Sequence, residues 1–209
     1  MAVVSRPPAN FDHVPAGEYV PTADERVVMH GVSWEAFESI VAVRGERARP
    51  RFAYLAGALE IMSPSRTHEI MRRRFAAVVD AYLHATRVPF ESAGSWLIKR
   101  APEEAGLEPD ECYIFGDFSK DRPDLAIEVV WTSGGVDKLE IYRRLGIPEV
   151  WMWIKGAIRV FVIEVGRYVE RSQSACVPSF DFNVVLELME LPSLGDVLDE
   201  LARRFPRVG

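Results

Sequence analysis

Leu125-Ala126-Ile127-Glu128-Val129-Val130-Trp131 is the stretch whose reading decides the fold. Its density of branched residues predicts the strongest strand in the chain. By parity, Leu125, Ile127, Val129 and Trp131 face one way, while Asp124, Ala126, Glu128 and Val130 face the other. A strand that is apolar on both faces belongs in the interior of a sheet, so Glu128 is expected to be buried. A buried carboxylate needs a cation, either a metal ion or a basic side chain. A salt bridge to one of the 21 arginines is the plain alternative.

Working outward, Thr132-Ser133-Gly134-Gly135 predicts a turn into a helix over about 136–145, closed by Gly146-Ile147-Pro148. Downstream come strands at Glu149–Ile154 and Ala157–Glu164, a third strand after Gly166, and two helices. Phe182, Val185, Leu186 and Met189 mark the first helix; Ser193 with Asp196 forms a capping-box-like start for the second. Upstream, Cys112–Phe115 and Ser95–Lys99 are strand candidates, and the longest helix is expected over about His68–Ala85. Arg51–Leu55 and Leu59–Met62 flank an Ala56-Gly57 turn as a hairpin, and Ser33 caps a helix carrying Trp34, Phe37, Ile40 and Val41 that ends near Gly45. Residues 1–32, with Pro7, Pro8, Pro15, Pro21, Gly17 and Gly31, are expected to form an extended N-terminal arm. The rest, 33–209, is expected to be a single α/β (α+β) domain, with a central mixed sheet flanked by helices.

The 209 residues carry a net charge of −6 and are 48 % hydrophobic, which excludes disordered and collagen-like classes. The acidity argues at first sight against a nucleic-acid partner. Cys112 and Cys176 stand in no zinc-type pattern and are expected to be reduced thiols. No stretch approaches the ~18 apolar residues of a membrane span, so no membrane partner and a cytoplasmic location are expected. There is no GxSxG, P-loop or dinucleotide-binding glycine pattern.

Two further signals accompany Glu128. Glu108-Pro109-Asp110 precedes the Cys112 strand, and taken alone it is a common Pro-Asp turn. Eighteen positions separate Asp110 from Glu128, and oxygen ligands from two neighbouring strands suit a hard cation such as Mg²⁺. Lysine is scarce, with only Lys99, Lys120, Lys138 and Lys155. Lys138 falls in the first turn of a helix, where the dipole disfavours a cation, so a compact point charge is wanted there or the residue is simply solvated.

Glu108-Pro109-Asp110-Glu111-Cys112-Tyr113, Arg122-Pro123-Asp124-Leu125-Ala126-Ile127-Glu128-Val129-Val130 and 137–151 (DKLEIYRRLGIPEVW) together resemble the Uma family of restriction endonucleases, in the PD-(D/E)XK nuclease superfamily. Gly57-Ala58-Leu59-Glu60-Ile61-Met62-Ser63-Pro64 with His68 resembles the family's leading motif, and the likeness covers about residues 33–165. The resemblance implies a restriction-endonuclease-like core and a metal-dependent endodeoxyribonuclease. It makes Asp110 and Glu128 the motif carboxylates, which would hold Mg²⁺ or Mn²⁺ together with the Val129 carbonyl. The superfamily's usual lysine position is Val130 here, and Lys138 on the following helix takes that role in the resemblance. Glu60 and His68 match polar positions that would hold a water or a second ion. DNA is then the substrate, contacted by Arg72, Arg73, Lys99 and Arg100, with Arg74, Arg143 and Arg144 as further candidates, and a homodimer is expected. Such binding should weaken steeply as salt rises. The competing expectations are an inactive DNA- or protein-binding module of the same fold, and a metal-dependent hydrolase of another phosphoester.

Overall fold

Leu125–Val130 sits in the interior of its sheet, with a neighbour strand on each side. The computed structural model describes residues 3–4, 23–130, 135–154 and 156–206. β9 (Leu125–Val130) lies in a mixed sheet ordered β12 (Arg167–Arg171), β11 (Ala157–Glu164), β10 (Glu149–Ile154), β9, β8 (Glu111–Phe115), β5 (Phe90–Ser92). β9 and β10 run parallel, and every other neighbouring pair is antiparallel. A parallel pair needs a long crossover, and here it contains α3 (Lys138–Leu145). A second sheet is antiparallel throughout, ordered β1 (Val3–Val4), β2 (Glu25–His30), β4 (Ala58–Ser63), β3 (Arg51–Leu55), β7 (Ala105–Leu107), β6 (Ile98–Arg100). With α1 (Trp34–Arg44), α2 (Arg66–Ala85), α4 (Phe182–Met189) and α5 (Leu194–Arg204), the fold is restriction-endonuclease-like α+β.

The described residues group into two compact units. The antiparallel-sheet unit draws on Met1–Glu69, Leu97–Glu108 and Trp131–Gly146, and the mixed-sheet unit on Ile70–Trp96, Pro109–Val130 and Ile147–Gly209. In the mixed-sheet unit the parity expected of β9 holds. Leu125, Ile127 and Val129 join one core with Phe75, Trp151, Val185 and Leu201. Trp151 is fully buried, with the Phe180 and Phe182 rings 4.9 and 4.8 Å away. The smaller core of the other unit gathers Phe37, Phe52, Tyr54 and Leu59, with Phe37 stacked on Tyr54 at 4.7 Å.

Local signals account for most boundaries. Ser33 Oγ accepts the Ala36 N–H, and Gly45 closes α1 at φ 62°. Ala56 and Gly57 both have positive φ, which the tight β3–β4 turn requires. The Ser193–Asp196 capping box opens α5. Some expectations are corrected. Residues 1–32 are not an extended arm throughout, because Glu25–His30 is a strand bonded along its length to β4. The Ser95–Lys99 strand is shifted to Ile98–Arg100, and α3 starts at Lys138 because Asp137 caps it. Pro7, Pro8, Pro15, Gly17, Pro21, Trp131, Thr132-Ser133-Gly134 and Lys155 lie outside the described residues.

Candidate functional site

In the mixed-sheet unit, the two motif carboxylates stand at the same end of a strand pair, Asp110 just before β8 and Glu128 within β9. β8 and β9 pair Glu111 with Ile127, Cys112 with Ala126 and Tyr113 with Leu125. Asp110 immediately precedes Glu111 at the start of β8, Glu128 immediately follows Ile127 in β9, and both side chains are buried. Asp110 Oδ2 accepts the Val129 N–H at 2.7 Å. Glu128 shares its face with Ala126, away from the core face of Leu125, Ile127 and Val129. Where buried carboxylates stand close together, a divalent cation is one group that can offset their charge. Among the described residues no three His, Cys, Asp or Glu side chains form a metal cluster. Two carboxylates and a carbonyl instead fit Mg²⁺, which keeps several of its waters.

Glu111, on the opposite parity, does different work. Its carboxylate accepts from Ser92 Oγ at 3.0 Å and lies 3.5 Å from Arg72, whose Nη1 also donates to the Asp110 carbonyl at 3.4 Å. Burial pushes the Glu111 carboxyl up, partly offset by Ser92 and Arg72. Arg72 thus braces the entry to β8. Burial and the Glu111 charge push the Cys112 thiol up to about 12, which removes it as a nucleophile near neutral pH. Glu149 shows how this chain satisfies a buried acid with neutral donors: its carboxylate accepts from the Trp151 indole and from the N–H groups of Ala175 and Cys176.

The antiparallel-sheet unit holds Glu60, His68 and Lys138. Glu60, on β4, is buried; its Oε1 lies 3.4 Å from Arg26 Nε, and its Oε2 accepts the Val136 N–H at 3.2 Å. Gly135 has φ +105°, and a Cβ there would stand 1.8 Å from Glu60 Oε2. Glu60 therefore grips the backbone two residues before Lys138. Lys138 is the first residue of α3, whose cap Asp137 accepts the Glu140 N–H at 3.0 Å and whose buried Ile141, Tyr142 and Leu145 anchor the helix. His68 is buried in the first turn of α2, with Nδ1 3.0 Å from Asp24 Oδ2.

The basic candidates divide. Arg73 and Arg100 are exposed, Lys99 is paired with Glu38 at 2.7 Å, and Arg100 lies 3.8 Å from Glu103. Arg74 donates to the carbonyls of Met189, Leu191 and Pro192, closing the end of α4. Arg143 and Arg144 both bond Glu140. Sequence reasoning missed Asp24 and Arg26, which sit in the segment read as an arm, and nothing around them signals a paired strand.

A model of the Uma2 family, described as "putative restriction endonuclease", matches residues 34–197. The chain belongs to this family. No match was found among curated proteins. All five motif residues of this Uma2 chain (Glu60, His68, Asp110, Glu128 and Lys138) fall within the matched span, whereas Asp24 and Arg26 precede it. Among the described residues, no helix is long and apolar enough to cross a membrane.

Proposed function

We propose that this Uma2 chain is a divalent-metal-dependent endodeoxyribonuclease that hydrolyses DNA phosphodiester bonds. The observation that supports the reading is that buried Asp110, at the start of β8, bonds the β9 backbone at Val129, the residue next to buried Glu128. Asp110, Glu128 and the Val129 carbonyl would hold Mg²⁺ or Mn²⁺. Such an ion supplies Lewis acidity toward the phosphate and lowers the pKa of water. Asp110 spends one oxygen on the Val129 N–H, which fixes the orientation of its carboxylate.

The remaining roles follow the family motif. Lys138 offsets the negative charge that builds on phosphorus, a task for a compact ammonium. His68 orients a water. Glu60 fixes the strand-to-helix backbone ahead of Lys138. Exposed Arg73, with Lys99 and Arg100, contacts DNA phosphates, while Arg72 acts closer to the carboxylates through its bond to the Asp110 carbonyl. A homodimer and a cytoplasmic setting complete the reading, because two-fold pairing gives one-site subunits access to both strands.

The test is supercoiled plasmid incubated with Mn²⁺ or Mg²⁺. Wild type nicks it, and Glu128→Ala and Lys138→Ala each lose about 100-fold or more, in line with removal of one strong electrostatic contribution. No nicking with either metal would favour the alternative that Val130, standing where the superfamily has lysine, invites: a module of this fold that binds without turnover. Hydrolysis of small phosphoesters with plasmid left intact would assign a different phosphoesterase.

A further inference from the structure

Asp24 lies ahead of β2, before the span matched by the family, and each of its carboxylate oxygens meets a residue at the start of α2. Oδ1 accepts the Ser65 N–H at 2.8 Å, and Oδ2 lies 3.0 Å from His68 Nδ1. Ser65 Oγ in turn accepts the His68 N–H at 3.1 Å, so ring and backbone of His68 are both held. Asp24, Ser65 and His68 are all buried. An ionised carboxylate only accepts, so the proton of this contact resides on Nδ1. Burial by itself would raise the Asp24 carboxyl, but the His68 bond and charge and the two Ser65 bonds outweigh it and hold the group below its ordinary value.

We infer that Asp24 is a positioning residue that locks His68 in the Nδ1–H tautomer, so that in the neutral ring Nε2 is the hydrogen-bond acceptor. This deepens the nuclease reading and rests on it for the role of His68, but the tautomer itself does not depend on activity. A second ring nitrogen fixed by a buried carboxylate is the arrangement by which proteins set which nitrogen is available to a ligand or water.

Asp24→Asn tests it cleanly, because Ser65 dictates how the amide lies. The amide oxygen must stay on the Ser65 N–H, which turns the NH₂ toward His68 Nδ1. That donor needs an acceptor, so it favours the neutral tautomer in which Nδ1 is bare and the ring proton sits on Nε2. The readout is ¹⁵N NMR of histidine-labelled full-length protein near neutral pH, with His68→Asn assigning the signal among the four histidines. Expected are a pyrrole-type Nδ1 in wild type and a pyridine-type Nδ1 in Asp24→Asn. Plasmid nicking should fall by about 10- to 100-fold in kcat with KM little changed. An unprotonated Nδ1 in neutral wild type, an unchanged tautomer in folded Asp24→Asn, or unimpaired nicking by that variant would each overturn the assignment. If Asp24→Asn does not fold, the wild-type spectrum decides alone. A wild type that nicks nothing would sink the nuclease reading, and the NMR result would still decide the Asp24 assignment.

Discussion

Gly135 is the residue whose smallest enlargement should be felt most. Its φ of +105° strains any L side chain, and a Cβ would collide with Glu60 Oε2, which is pinned by the Val136 N–H while Oε1 meets Arg26. Gly135→Ala should lower stability by about 1–3 kcal/mol in urea denaturation. Glu60→Ala in the same background should recover part of that loss, since the two act through one contact. Strictly additive effects would show that backbone strain alone is responsible. At this scale Glu128 was legible because a carboxylate among branched residues on both parities has nowhere to go but inward. Asp110 was not, since Pro-Asp is common in turns, and only the family motif singled it out. Asp24 was invisible, because its partners lie more than forty positions away and a sequence does not display pairing at that distance.

At the scale of elements, α3 makes a pH-dependent contribution. Hydrogen bonds from Arg143 and Arg144 hold the Glu140 carboxyl down at about 2, against an ordinary value of 4.5. A carboxyl depressed by folding contributes stability that is complete above the unfolded value. That stability is lost as pH falls from about 4.5 through about 2. Glu140 is partly exposed, so solvent screening keeps the effect to about 1 kcal/mol or less. Urea midpoints measured across that window should fall less steeply for Glu140→Gln than for wild type, and an identical slope would refute the assignment. The elements that were legible carried their own punctuation: Ser33 and Gly45 around α1, Ala56-Gly57 in the hairpin, Ser193 with Asp196 before α5. β2, β5 and β7 were not anticipated. β5 and β7 are three residues each, too short for alternation to register, and β2 offers only Val27-Val28-Met29 between polar ends.

For the whole molecule, the net charge of −6 counts the acids without saying where they are. Several are matched: Glu140 and Glu200 by arginines of their own helices, Glu108 by Arg44, Glu149 by neutral N–H donors. Asp110 and Glu128 are both buried at neighbouring ends of β8 and β9, and in the proposed function they hold a divalent ion. The most direct measurement is calorimetric titration of the full chain with Mn²⁺, comparing wild type with Glu128→Gln and Asp110→Asn. Wild type should bind saturably, and each variant should bind about 10-fold or more weakly while the far-UV circular dichroism is unchanged. Equal Mn²⁺ affinity in all three proteins, or none in wild type, would contradict the proposed metal site.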